Sequence, residues 1–242
     1  SDVYKRQTKK YDLSIEEVDT LTGSLIGRPN TGTYRLQDLV GLDTGEKVTQ
    51  FVVDNVKNDS FFESVGKAPE IKFMTFLLKN NFLGNKTGKG FYEKTNQKDK
   101  RGKTIINALD LKTLEYKPSI PPKNPILKEA KAIDKIQKRM SFLLGKEDKE
   151  SHFLKEYFTA IFAYSAHRVP EISDQYYPVD DAMRAGYVWD FGPFEYWDLI
   201  GFQNGLSMIE AAGETVPDWI GQMKKAGADQ FYKYETVSYK HL

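Results

Sequence analysis

Apolar residues recur at three- and four-residue spacing along most of this chain, a period that predicts helices. The first is predicted over residues 12–26, where Ile15, Val18, Leu21 and Leu25 share a face. Asp12 or Ser14 stands ready as its N-cap, and Glu16 and Glu17 supply first-turn acids. Gly27-Arg28-Pro29-Asn30-Thr31-Gly32 breaks that helix, with Gly27 ending it. Tyr34, Leu36, Leu39 and Val40 resume an apolar face up to Gly41, and Val48, Phe51, Val52 and Val56 carry the period over 43–57. Further helices are predicted over 69–80 with Pro69 in first position, over 126–145 closed by Gly145, and over 151–169 stopped by Pro170. Strands are scarce, and only 88–92 and 103–116 fit a hairpin. The Lys- and Pro-rich stretch 94–125 reads as a solvated loop or linker, because charge and proline both oppose packing. The pattern as a whole is predominantly helical.

Composition narrows the chemistry. The 242 residues include no cysteine, which excludes disulfides, thiolate zinc sites and cysteine nucleophiles, and only three histidines, too few for a histidine-rich metal site. Lys and Arg total 35 against 34 Asp and Glu, a net charge of +1 that argues against a dedicated nucleic-acid binder. Apolar runs are too short for a membrane helix and the start carries no secretory pattern, so a cytoplasmic protein is expected. Residues 1–7 and 236–242, with His241, read as non-native ends and are set outside the fold. His167, near the end of an amphipathic helix, is expected to satisfy terminal carbonyls, and His152 to be solvated. Asp180 and Asp181, like Glu16 and Glu17, are adjacent and diverge on a helix. They read as first-turn charges, not as an acid–base pair.

The most informative feature is an internal repeat. Val18-Asp19, a helix, Gly27 and then Gly32 through Tyr34, Asp38 and Gly41 recur as Val179-Asp180, a helix, Gly186 and then Gly192-Pro193-Phe194 through Asp198 and Gly201. From Gly32 to Gly41 the shift is a constant 160 residues, and each copy closes on an aromatic pair, Phe91-Tyr92 and Phe231-Tyr232. Each block reads as helix, glycine turn, helix, with Phe194, Trp197 and Ile200 inward. Asp38 and Asp198 are expected to be buried and to accept hydrogen bonds from backbone N–H groups of the neighbouring turn.

Gly192-Pro193-Phe194-Glu195-Tyr196-Trp197-Asp198-Leu199-Ile200-Gly201 closely resembles the C-terminal helical domain of 3-hydroxyacyl-CoA dehydrogenases. So do Ile26 through Thr44 and Leu83-Gly84-Asn85-Lys86-Thr87-Gly88-Lys89-Gly90-Phe91-Tyr92. The resemblance runs over about residues 11–235. It implies an all-α chain of two related bundles, similar to the 6-phosphogluconate dehydrogenase C-terminal fold. Residues 11–95 and 151–235 would be the copies, joined by a linker with one helix over 96–150. The arrangement is similar to multifunctional β-oxidation proteins, in which an enoyl-CoA hydratase domain follows.

The implied activity is NAD-dependent oxidation of 3-hydroxyacyl-CoA. The family's Rossmann domain, with its His–Glu pair and dinucleotide turn, has no counterpart here, so the resemblance implies no catalytic residue and an inactive chain. Gly84-Asn85-Lys86-Thr87-Gly88-Lys89-Gly90 matches neither phosphate-loop pattern. Arg28, Pro29 and Gly32 are the expected acyl-thioester-facing turn, and Lys86 and Lys89 the expected contacts to CoA phosphates. Two other readings remain open: a related hydroxy-acid dehydrogenase, or a noncatalytic interaction module. Both the main reading and the module predict an exposed apolar face on the first copy.

Overall fold

A computed structural model describes residues 2–56 and 59–233. The chain folds as two compact units, Ser1–Leu154 and Lys155–Leu242. Both are mostly helical, and one small sheet accompanies the helices of the first.

The first unit opens with α1 (Asp2–Lys10) and α2 (Ile15–Leu21). Residues 2–7 were expected to lie outside the fold. Instead they form most of α1, and Arg6 Nη2 donates to Pro69 O at 3.0 Å. Residues 236–242 lie outside the described residues. Helix α2 starts on a reciprocal cap, with Glu17 N donating to Ser14 Oγ and Ser14 N to Glu17 Oε2. After a single 3-10 turn (Ser24–Ile26), Gly27 takes the left-handed conformation and the chain passes to α3 (Tyr34–Val40) and α4 (Leu42–Asn55). Gly41, at φ +98°, lets α3 and α4 meet without a loop. These two helices leave Leu39, Val40, Val48 and Phe51 54–66% exposed, which supplies the apolar face expected on this copy. Then come α5 (Ser60–Lys67) and α6 (Lys72–Lys79). Helix α6 begins three residues after Pro69, not on it.

The stretch expected to be solvated loop pairs instead into an antiparallel sheet, β1 (Tyr92–Lys98), β2 (Thr104–Leu109) and β3 (Tyr116–Pro118), in that spatial order. Tyr92 stands opposite Ala108, and Ala108 opposite Lys117. Aspartates build both turns: Asp99 Oδ1 accepts from Arg101 N and Lys103 N, and Asp110 Oδ1 from Lys112 N and Thr113 N. The predicted single helix over 126–145 is two, α7 (Pro125–Lys131) and α8 (Ile136–Leu144). Arg139 explains the break, because its guanidinium donates to the carbonyls of Ile133 and Asp134 between the helices.

Helix α9 (Lys149–Ile172) holds the division between the units and runs through Pro170, which was expected to stop it. Proline removes the N–H that would bond Ala166 O. Trp219 Nε1 donates to that carbonyl at 3.0 Å, so the last turn survives. The second unit continues with α10 (Tyr177–Tyr187), α11 (Pro193–Ile200), α12 (Phe202–Ala211) and α13 (Asp218–Lys225). Gly186 does not end α10. The helix passes it and stops on Val188, itself left-handed at φ +55°. Gly201, at φ +99°, joins α11 to α12 as Gly41 joins α3 to α4.

Candidate functional site

In the first unit, one buried carboxylate organises the turn between α2 and α3. Asp19 Oδ1 accepts from Thr33 N at 2.8 Å and Tyr34 N at 2.5 Å, and Oδ2 from Arg35 N at 3.2 Å. These are the free N–H groups where α3 begins, the natural seat of an anion. Tyr92 O–H, from β1, completes the set on Oδ2 at 2.8 Å. Gly32 has to be glycine here, because a Cβ would collide with the Asp19 backbone. Burial pushes the Asp19 carboxyl up to about 6 against the pull of its donors, and burial beside Asp19 raises the Tyr92 phenol.

A second carboxylate latches the strand to the helix. Asp38 Oδ1 accepts from Phe91 N and Oδ2 from Tyr92 N, both at 2.8 Å. Burial raises it to about 6 as well. Its donors were expected in the neighbouring turn, but they come from the aromatic pair more than fifty residues on. Above the latch, Tyr34 and Phe91 meet edge to face at 4.6 Å, and Tyr34 O–H donates to Thr8 Oγ1.

The second unit repeats these bonds. Asp180 accepts from Phe194 N at 3.0 Å, Glu195 N at 2.9 Å and Tyr232 O–H at 2.8 Å, while Asp198 accepts from Phe231 N and Tyr232 N. Asp180 is thus a buried hub, not a plain first-turn charge, and burial raises it to about 6. Asp181 is the exposed partner, paired with Arg184. Gly192 faces Asp180 as Gly32 faces Asp19. Pro193, Phe194 and Trp197 are buried behind it, while Asp198 and Ile200 are only half-buried. The repeat pointed to Asp38 and Asp198. It gave Asp19, Asp180 and the two tyrosine hydroxyls only as landmarks, although their fixed places before each turn and at each closing pair were already the signal.

The expected substrate residues sit on two turns, one before α3 and one before β1. Arg28 is buried at the turn that Gly32 N closes onto Pro29 O. Lys86 pairs with Asp43. Lys89 pairs with Glu93 at 2.7 Å and lies over the rings of Phe82 and Tyr116. Both ammoniums stand on the glycine turn in ion pairs within the fold. The glycine turn carrying them offers no dinucleotide cradle. Gly84 and Gly90 close onto Asp38, which fills the space a phosphate would need, and only one 3-10 turn follows Gly84. NAD does not fit there. His167 Nε2 lies 3.0 Å from Thr215 O, and His152 stacks on Tyr11 beside Glu147. Among the described residues, no group of three or more His, Asp or Glu side chains is placed to hold a metal, and no helix is long and apolar enough to cross a membrane.

Residues 6–94 match the family model for the 3-hydroxyacyl-CoA dehydrogenase C-terminal domain. Over 95% of its length the chain is 37% identical to a Bacillus subtilis (strain 168) protein named "Probable 3-hydroxyacyl-CoA dehydrogenase", of which it covers 28%. It is 25% identical, over 82% of its length, to a Rickettsia prowazekii (strain Madrid E) protein that bears the name of a fatty acid oxidation complex trifunctional enzyme, covering 25% of it. A Rickettsia felis (strain URRWXCal2) protein of the same name is 24% identical over 96% of the chain, which covers 31% of it. The chain thus spans between a quarter and a third of the length of these relatives. With the carboxylate clamp seated inside the matched segment, the chain belongs to the 3-hydroxyacyl-CoA dehydrogenase family and carries that family's C-terminal domain.

Proposed function

We propose that this chain is the substrate-side and assembly portion of an NAD-dependent dehydrogenase that oxidises 3-hydroxyacyl-CoA to 3-oxoacyl-CoA in fatty-acid β-oxidation, acting in the cytoplasm. The observation that carries the reading is the 37% identity to a protein of that name over 95% of the chain. The repeated clamps support a duplicated helical bundle, with residues 11–95 and 151–235 as its copies. The general base, its orienting acid and the NAD site belong in this reading to a dinucleotide-binding domain that the chain does not contain. The trifunctional name borne by the Rickettsia relatives supports a setting with further enzymatic domains, a hydratase among them.

Within the chain, Arg28, Pro29 and Gly32 form the turn that faces the acyl thioester. The Asp19 clamp holds that turn in shape, and Lys86 and Lys89 on the glycine turn meet the CoA phosphates. The test is direct. The purified 242-residue chain, given NAD and 3-hydroxybutyryl-CoA, is expected to form no NADH. The longer polypeptide joining it to a dinucleotide-binding domain is expected to form it. NADH from the chain alone, or none from the longer polypeptide, would overturn the proposal.

A further inference from the structure

The far end of the β1–β2 hairpin carries five cations and a single acid within residues 94–103. Lys94, Lys98, Lys100, Arg101 and Lys103 are all exposed, and none of them forms an ion pair among the described residues. Asp99 is the acid, and its Oδ1 is taken up inside the turn by Arg101 N and Lys103 N. Main-chain bonds from Asp99 N to Lys103 O and from Gly102 N to Asp99 O close the same turn. The cations are therefore mounted on a fixed turn, where like charges repel until an anion comes among them.

This charge lies beside an open strand edge. β1 is an outer strand of the sheet, and its free side is bridged only near its start, where Lys89 pairs with Glu93. Along 95–98 no further strand lies against it among the described residues. The register slips between Lys94 and Lys98, and such a bulge leaves main-chain groups out of the ladder, open to another chain. A segment laid along that edge would have Lys94 and Lys98 as cross-strand neighbours. The lysines repel a second copy of the same edge and attract a strand of opposite charge.

No aromatic or large aliphatic side chain lies between Glu93 and Thr104. Single-stranded nucleic acid is gripped by stacking as well as by charge, and a membrane surface by inserted apolar groups as well as by lysines. A carboxylate-rich polypeptide needs neither, since it pairs main chain with main chain and carboxylate with cation.

We propose that the outer edge of β1 and the turn after it dock an extended acidic segment of a partner protein. This inference does not rest on the oxidation reading, and the NADH experiment can fail without touching it.

Fluorescence anisotropy of a short labelled peptide of alternating Glu and Thr, titrated with the full 242-residue chain, tests it. Saturable binding is expected, weakening as salt rises. Lys98→Gln combined with Arg101→Gln should weaken it about tenfold, and amide exchange over 95–98 should slow when the peptide binds. Both positions are exposed, so the fold is expected to survive the pair. Lys47→Gln combined with Lys79→Gln removes the same charge from exposed sites on α4 and α6, and should leave binding within about twofold of the parent. The inference would be overturned by no saturable binding, by an equal loss in the α4 and α6 variant, or by exchange over 95–98 that does not change on binding. Tighter binding of a single-stranded oligonucleotide or of phosphatidylserine vesicles than of the peptide would overturn it too.

Discussion

Asp19 gathers donors from the start of α3 and from β1 onto one carboxylate, and Asp180 does the same in the second unit. Burial opposes ionisation at both sites and at Asp38, lifting each from an ordinary 3.8 to about 6. A carboxyl with a raised folded value binds its proton more tightly folded than unfolded. Its contribution to stability is complete below about 4 and is lost as the pH climbs through about 6. Denaturant unfolding should therefore show the protein about 2 kcal/mol or more stronger at pH 4.5 than at pH 7.5. Asp110, held near 2 by Lys117 and its turn, works in the opposite sense, but only as the pH falls below 4. A flat or rising profile between pH 4.5 and 7.5 would contradict this.

The glycines beside these hubs give a second residue-scale test. Gly186→Ala sits on an open, exposed helical face and should stabilise by about 0.5–1 kcal/mol. Gly192→Ala would press a methyl into Asp180 and should cost several times as much, as thermal unfolding of the pair would show. The repeat singled out both glycines alike. Only the folded approach of Asp180 tells which one is required.

At the scale of elements, the helical period located α2, α3, α4, α6 and α9 because their apolar faces are continuous. It failed where a distant side chain decides an end. Nothing near Pro170 announces Trp219, forty-nine residues on, whose indole takes up the carbonyl that the proline leaves unpaired. Nor does the apolar face over 126–145 announce that Arg139 will claim the carbonyls between α7 and α8. The sheet was legible only in part: β2 lies inside the 103–116 expected for a hairpin, while β1 extends past 88–92 into the stretch read as linker. β1 is largely exposed and polar, and the lysines around it outweighed the turns that Asp99 and Asp110 initiate. Trp219→Phe keeps most of the ring and removes the donor. It should cost about 1–3 kcal/mol by leaving Ala166 O unsatisfied, and amide exchange should quicken at the end of α9. Exchange unchanged there would mean the helix bears Pro170 unaided.

At the scale of the whole molecule, one design occurs twice. An aspartate at the end of a glycine-joined helix catches the N–H groups of a closing Phe-Tyr pair, and the tyrosine hydroxyl returns to an aspartate one helix earlier. Sequence spacing exposed this plan, since landmarks in the same order need no structure to be counted. What the landmarks bind to was not legible, because the bonds join residues thirty to seventy positions apart. The two latches share no donor and no acceptor, and energetic independence follows from that. Asp38→Ala strands two buried N–H groups and should cost about 2–4 kcal/mol. Asp198 is half-buried, so water can reach its donors, and Asp198→Ala should cost about half as much. The double variant should lose the sum of the two to within about 0.5 kcal/mol. A coupling well above that would mean that releasing one closing pair disturbs the other, and the two clamps would then be parts of one cooperative unit instead of two copies of a self-sufficient one.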